Sequence, residues 1–330
     1  MSSSWKNVFL LSAVCLAITL VTPFFGMSII EPSALLQPGS PDAEVFWSLR
    51  LPRTAASFLS GAGLAVSGMV FQAMFRHALA SPFTLGVSSG AAFGASFYFR
   101  FGTAVTVFGA MGSLGAALAG GFASMGLVYA ITRARGGFST SVMLLAGVII
   151  NFFFSSMVMF IQYCSNAQDS VQIMRWMMGS LLGIESIRLL DLAFVVALGC
   201  LFIRSISFEL DLLMAGEEIA SSRGVDVRAT KTKAFVAASF IVATVVSIAG
   251  PIGFVGMMVP HICRMMLGWS HKVLLPASFV MGGCFLTLCD LLARTVLAPA
   301  ELPIGIITSM RGSPFFLWTL FKSNKSGAML

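Results

Sequence analysis

The chain has 330 residues, of which 57% are hydrophobic and only 10% are charged, and its mean hydropathy is +0.93. A soluble domain typically carries about 25% charged residues, so this composition excludes an ordinary water-soluble protein. The net charge of +7 does not indicate nucleic-acid binding, because the basic residues are scattered between apolar stretches without interleaved aromatics. The sequence therefore predicts an all-α polytopic membrane protein with a single transmembrane domain over residues 1–330.

Ten apolar stretches predict about ten transmembrane helices, since a helix needs roughly 20 residues to cross the hydrocarbon core. In chain order they cover residues 8–25, 54–73, 85–99, 105–131, 142–163, 187–203, 234–249, 254–267, 273–292 and 304–321. No small-residue cleavage motif follows the first stretch, so we expect it to be retained. The short stretch 254–267, flanked and interrupted by Pro251 and Pro260, predicts a broken helix covered by protein or lining a watery cavity.

The distribution of Lys and Arg predicts the orientation. With Lys6 in the cytoplasm and ten spans, 13 of the 20 basic residues fall on the cytoplasmic side, as the positive-inside rule prefers. These are Lys6, Arg76, Arg133, Arg135, Arg204, Arg223, Arg228, Lys231, Lys233, Arg264, Lys272, Lys322 and Lys325. Both termini are therefore expected in the cytoplasm.

Small residues at helical spacing predict close helix contacts. Gly86, Gly90 and Gly94 recur every four residues, and Gly61 with Ala65 forms a second such pair. In a membrane, faces of this kind let two backbones approach and gain van der Waals contact.

One cytoplasmic segment is strongly charged. Residues 207–233, which we call the coupling segment, hold nine of the 33 charged residues. Within it, residues 214–223 are predicted to form a short helix, because Glu217 and Glu218 come early, Arg223 comes late and Gly224 follows as a cap. This composition fits either a docking surface for a partner or a solvated connecting loop.

Three arginines mark the opposite side of the membrane. Arg50 and Arg53 bracket Pro52 at the start of the second predicted span, and Arg294 lies four residues after Asp290, a spacing that pairs the two on one helix face. These arginines either meet a partner or anchor span ends at the membrane interface.

The remaining residues argue against other function classes. An ion-coupled secondary transporter would bury carboxylates in mid-span, whereas Asp191 lies near a span end and Asp290 has Arg294. A membrane enzyme would need a catalytic set, but His261 is the one candidate ligand and the six cysteines stand singly, so no metal site is predicted. The chain also lacks the phosphate-binding GxxxxGK[ST] loop, so ATP hydrolysis would have to come from a partner.

Six segments in the same order closely resemble the permease subunits of type II ABC importers for ferric siderophores, haem and cobalamin. They cover residues 49–95 (LRLPRTAASFLSG…), 139–148 (STSVMLLAGV), 174–183 (MRWMMGSLLG), 214–227 (MAGEEIASSRGVDV), 250–264 (GPIGFVGMMVPHICR) and 293–320 (ARTVLAPAELPIG…). The resemblance implies a ten-helix subunit in which spans two to five and seven to ten form an inverted repeat. It also implies a multi-pass protein of the cell inner membrane.

The resemblance further implies the partners: a second permease copy or close paralogue, two ATPase subunits, a periplasmic substrate-binding protein and membrane lipid. This subunit would hold no cofactor, and ATP with Mg would bind the partner ATPase. The expected cargo is a ferric siderophore, with haem or cobalamin as alternatives.

Site residues follow from the resemblance in three groups. Those that would contact the ATPase are Glu217, Glu218, Ile219, Arg223, Gly224 and Val225, and those that would dock the binding protein are Arg50, Arg53 and Arg294. Those at the cytoplasmic gate would be Leu85, Ser139, Thr140 and Ser141. For Ser139 to Ser141, capping of the fifth predicted helix is an equally open interpretation.

Overall fold

The computed structural model describes residues 3–26, 28–33, 40–78, 80–102, 112–135 and 139–326. Within these ranges the regular structure is helical. The helices are α1 (Ser3–Val21), α2 (Pro41–Val45), α3 (Leu51–Phe75), α4 (Val87–Phe101), α5 (Gly112–Ala134), α6 (Thr140–Tyr163), α7 (Ala167–Met177), α8 (Ser186–Ser205), α9 (Ser207–Ala215), α10 (Glu217–Ser222), α11 (Val227–Ala249), α12 (Val255–Leu267), α13 (His271–Thr295) and α14 (Ile304–Ser326). The prediction of an all-α chain is confirmed for these residues.

Each predicted apolar stretch coincides with one helix, although the beginning of the stretch 105–131 lies outside the described residues. In the described part of the chain, six helical segments are long and apolar enough to cross a membrane, and α1 and α12 are shorter apolar helices. Ten crossings and the inverted repeat therefore stay predictions. Two polar helices, α2 and α7, were not predicted, and each begins at a side-chain N-cap, Ser40 or Asn166.

Helix α3 lies at the centre of the bundle, where it contacts α8, α11, α12 and α13. Its small residues allow this position. A Cβ atom on Gly61 would collide with the carbonyl oxygen of Gly282 in α13, and one on Gly68 would collide with that of Gly256 in α12. The predicted small face at Gly61 is thus confirmed as a backbone contact.

The short helix α12 is buried against α3, as its broken sequence predicts. Pro260 has no N–H group, so the carbonyl of Gly256 loses its usual helical donor. Helix α3 covers this gap with Gly68, and the side-chain amide of Gln72 donates to the carbonyl of Met257 (2.9 Å). The carbonyl groups of α12 that lack a helical donor are therefore covered by α3, as the interior of a membrane protein requires.

Helices α4 and α5 also pack through glycines that place backbone against backbone. Gly90 lies against the backbone of Gly120, and Gly94 against that of Ala116, so closely that neither α4 glycine has room for a side chain. Gly86 has a second role, because its φ of +75° ends the turn before α4. The predicted glycine repeat is confirmed as the α4–α5 contact.

Replacement of Gly68 by Ala should destabilise the protein by about 3 kcal/mol, because the new methyl group overlaps backbone that cannot move aside. Gly126 in α5 is a matched control, since nothing lies within 4 Å of the position of its Cβ. Thermal unfolding in detergent should therefore show a large loss for G68A and almost none for G126A. Equal melting of both variants would contradict the close contact of α3 with α12.

Candidate functional site

The charged residues of the described chain gather at two opposite ends of the bundle. Helix α13 connects them: its first residue, His271, contacts Asp211 of the coupling segment, while Asp290 lies 19 residues later. At 1.5 Å per helical residue this separation is about 28 Å, close to the thickness of a bilayer core. We call the second group, formed by Arg53, Asp290, Arg294 and Glu301, the arginine end.

The coupling segment folds as two short helices. The predicted helix 214–223 is wrong at its beginning, because Gly216 has a φ of +143° and separates α9 from α10. From there onward the prediction holds: Glu217 and Glu218 occupy the first turn, Arg223 is the C-cap, and Gly224 has a φ of +80°. The N–H of Val225 donates to the carbonyl of Ala220 (3.0 Å), which closes the helix as a Schellman-type cap does.

Helix α10 presents one face to the bundle and another to its surroundings. Ala220 is fully buried, whereas Ile219 is 48% exposed beside the exposed Glu218 and Arg223. A single exposed isoleucine occurs on many protein surfaces. Both interpretations of the segment, a docking surface or a connecting loop, therefore stay open.

An ion pair joins α10 to the long helix α11. The ammonium group of Lys231 is 2.7 Å from Glu217 Oε1; the Lys231 side chain is only 2% exposed, whereas that of Glu217 is 48% exposed. The side chain of Asp226 accepts from Ala229 N (2.9 Å) and caps the beginning of α11. Helices α10 and α11 are therefore connected by a direct side-chain contact as well as by the short loop between them.

A second contact ties the coupling segment to α13. Asp211 Oδ1 accepts from the backbone N–H of His271 (2.8 Å) and lies 2.5 Å from Nδ1 of the same residue. A cavity of about 530 Å³ adjoins this contact and is lined by Asp211, Met214, Ala215, Trp269 and Ser270. Nearby, the guanidinium of Arg264 stacks on Trp269 (5.1 Å) and donates to Gln72 (3.1 Å). Helices α9, α12, α13 and α3 are thus joined at this end.

At the arginine end, Arg53 connects three parts of the chain. Its Nε donates to Asp290 of α13 (2.9 Å), and its Nη1 donates to both carboxylate oxygens of Glu301 in the loop before α14 (3.0 and 2.9 Å). Asp290 is only 1% exposed. A carboxylate so deeply buried requires a cation with good geometry, which Arg53 supplies.

The other two arginines also bind the chain itself. Arg294 is 4% exposed, lies 3.7 Å from Asp290 and donates to the carbonyl of Thr22 (3.0 Å), so the predicted i,i+4 pairing is confirmed. Arg50 donates to the carbonyls of Pro23, Phe24 and Ser28. In the described residues Arg50 forms no ion pair. Docking by the three arginines stays a prediction.

The four residues predicted for the gate do not form one cluster. Leu85 is fully buried and packs beneath α6, where a Cβ on Gly147 would lie 2.9 Å from its Cα. Thr140, half-buried, begins α6 two turns away from Gly147, between the exposed Ser139 and Ser141. Ser139 has the backbone of an N-cap but its side chain caps no N–H, so the capping interpretation holds for the backbone alone.

Several residues that matter at these sites were not identified from sequence. Lys231 and Asp211 were recognised as charges, but their partners Glu217 and His271 are 14 and 60 residues away. Arg53 and Asp290 are 237 residues apart. No local pattern reports such pairings. In the described ranges no three His, Cys, Asp or Glu side chains are grouped to hold a metal, and His261 packs edge-on against Phe315.

Comparison with known proteins gives consistent matches over nearly the whole chain. The model of the FecCD transport family matches residues 9–322. The cobalamin import system permease protein BtuC of Halobacterium salinarum is 38% identical over 293 residues, covering 88% of this chain and 78% of that protein. The hemin transport system permease protein HmuU of Yersinia pestis is 34% identical over 282 residues, covering 85% and 84%. A solved structure described as an inward-facing conformation of a metal-chelate type ABC transporter matches with a TM-score of 0.87 at 31% identity, covering 96% of this chain and 99% of that chain.

Replacement of Asp290 by Asn should lower the free energy of unfolding by about 3 kcal/mol, because it leaves the buried Arg294 without its anion and Arg53 with Glu301 alone. Asp191 in α8 is exposed, so Asp191→Asn is the matched control and should melt like the parent. Thermal unfolding in detergent separates the two variants. If D290N is as stable as D191N, Asp290 does not hold the arginine end together.

Proposed function

Since this chain belongs to the FecCD transport family and its relatives are ABC permeases, we propose that it conducts a ferric siderophore from periplasm to cytoplasm. The protein would be a multi-pass subunit of the inner membrane with both termini in the cytoplasm. It would act with a second permease copy, two ATPase subunits that bind ATP and Mg, and a periplasmic binding protein.

The observation that carries this proposal is the construction of the coupling segment. Helix α10 offers Glu218, Ile219 and Arg223 on an exposed face, while the Glu217–Lys231 pair connects its other side to α11. A soluble ATPase that binds α10 would therefore move a membrane helix directly. Gly224 and Val225 fix the end of α10 and hence the shape of the surface that the ATPase would contact.

The arginine end supports docking of a binding protein on the other side. Arg53 and Arg294 are paired with Asp290 and Glu301, whereas Arg50 forms no ion pair in the described residues. Arg175 lies nearby, lining the same cavity as Arg53 and Glu301. A basic surface of this kind attracts a partner that carries acidic residues and speeds its association.

The names of the relatives indicate a chemical class of cargo more directly than a single compound. The relatives are named for cobalamin and hemin, and the solved neighbour is described as metal-chelate type, so a bulky metal chelate is the common element. Ferric siderophores are our first choice in that class, and haem and cobalamin are the alternatives.

An ion-coupled secondary transporter is the competing function, because Asp290 is a carboxylate buried within a membrane helix. The geometry disfavours this role. Asp290 lies against two arginines at one end of α13, and one of them, Arg53, also binds Glu301. A coupling carboxylate has to exchange its ion during each cycle, which such a pairing opposes.

The cargo proposal is tested by the ligand of the partner binding protein. We expect that protein, titrated with ferric siderophores, haem and cobalamin while its intrinsic fluorescence is followed, to bind a ferric siderophore most tightly. Preference for haem or cobalamin would overturn the proposal of a ferric siderophore but would agree with a bulky metal chelate as the class of cargo. Binding of none of the three would contradict the class itself.

Reversal of one exposed charge on α10 should weaken the ATPase complex. Glu218→Lys is expected to reduce co-purification of the ATPase subunit at least about tenfold, because a matched contact becomes repulsive. Gly224→Val should act similarly, since a β-branched residue is strained at a φ of +80°. Glu44→Lys in α2, an exposed reversal outside the coupling segment, is the control and should bind normally. Wild-type binding by E218K and G224V would remove α10 from the interface.

A gate at the beginning of α6 predicts contact between two copies of Thr140. In a background without the six native cysteines, Thr140→Cys should cross-link between subunits with a yield that changes with nucleotide. Ser205→Cys is the control, because Ser205 is exposed at the end of α8, outside the predicted gate. If T140C forms no cross-link in any nucleotide state, or if S205C cross-links equally, Thr140 is not the gate.

A further inference from the structure

An apolar cleft runs between α8 and α11 on the outer surface of the bundle. Its volume is about 590 Å³. Its walls are Phe194, Val195, Leu198, Gly199 and Phe202 from α8, and Thr232, Lys233, Val236, Ala237 and Phe240 from α11. The two helices are antiparallel, because Gly199 packs against Ile241 while Val196 and Val245 meet at Gly63.

The cleft is polar at one end only. Eight of its ten lining residues are apolar or glycine, and the polar pair, Thr232 and Lys233, lies in the first two turns of α11, at the end of the coupling segment. The hydroxyl of Thr232 donates to the carbonyl of Arg228, so it is already satisfied. The free functional group at this end is therefore the ammonium of Lys233.

Two basic residues, Arg228 and Lys233, lie near this end of the cleft. Arg228 lies one helical turn before Thr232 on the same face of α11, and both Arg228 and Lys233 are exposed. Neither forms an ion pair in the described part of the chain, and no acidic side chain lines the cleft. By contrast, the side chain of Lys231 is buried and forms an ion pair with Glu217.

The shape of the cleft matches an amphiphile. From Phe194 to Phe202 the wall rises about 12 Å along α8, which accommodates part of an acyl chain. The side chains of Phe194, Leu198 and Phe202 remain 42–65% exposed within the protein alone, so they need an apolar cover. At the interface, Lys and Arg extend toward anionic groups.

We propose that this cleft binds an anionic phospholipid. The acyl chain lies along the phenylalanine wall, and the phosphate of the headgroup lies against Lys233 and Arg228. A zwitterionic lipid would place its own cation beside these two, which makes it the weaker ligand. The bound lipid covers the side of α11 that faces away from the Glu217–Lys231 pair.

Lipid binding is tested with the full-length protein in detergent by native mass spectrometry, with phosphatidylglycerol and phosphatidylcholine as probes. We expect phosphatidylglycerol to be retained preferentially. Lys233→Gln should weaken its retention about fivefold. Lys272→Gln removes an exposed lysine at the same end of the molecule, outside the cleft, and should have no effect.

A second pair of variants tests the acyl-chain wall. Val236→Trp fills the cleft and should reduce retention of both lipids, whereas Leu201→Trp places the same ring on an exposed part of α8 that does not line the cleft. Equal retention of the two lipids by the parent protein would overturn the proposal. So would identical behaviour of K233Q and K272Q, or of V236W and L201W.

Discussion

The rest of the structure depends on the close approach of the α3 backbone to α12 and α13. In a membrane, lipid competes with apolar side chains for every contact, so helices associate through tight packing and polar contacts rather than hydrophobic burial. Gly61 and Gly68 provide that packing because they place backbone directly against backbone. The same approach brings Gln72 to the broken helix α12 and Arg53 to Asp290, so these polar contacts of α3 accompany its close packing.

The distribution of charge follows from this packing. Asp290 is tolerated inside the bundle because α3 delivers Arg53 to it, and Arg294 adds a second cation. This arrangement ties the arginine end together and leaves no buried carboxylate there available for ion exchange. At the other end, Glu217 and Lys231 connect an exposed helix to a buried one. Energy would therefore enter the bundle through the coupling segment, from a partner, rather than through an ion taken up in mid-span.

The sequence predicts the features that have a local cause. Apolar stretches locate the spans, the spacing of Gly86, Gly90 and Gly94 locates a helix contact, and charge placement locates α10. The break at Gly216 also had a local signal, because glycine is disfavoured in a helix interior, but the prediction placed this glycine inside the helix. Helices α2 and α7 had a readable signal in their N-caps, Ser40 and Asn166. The pairs Arg53–Asp290 and Asp211–His271 had none, because they depend on the tertiary fold.

We propose that ATP powers transport by this subunit through the coupling segment. The decisive measurement is uptake of a radiolabelled ferric siderophore into proteoliposomes that contain this chain, its ATPase and its binding protein. We expect accumulation that requires ATP and persists when ionophores abolish the proton and sodium gradients. Accumulation driven by an imposed ion gradient in the absence of ATP would overturn ATP-powered transport.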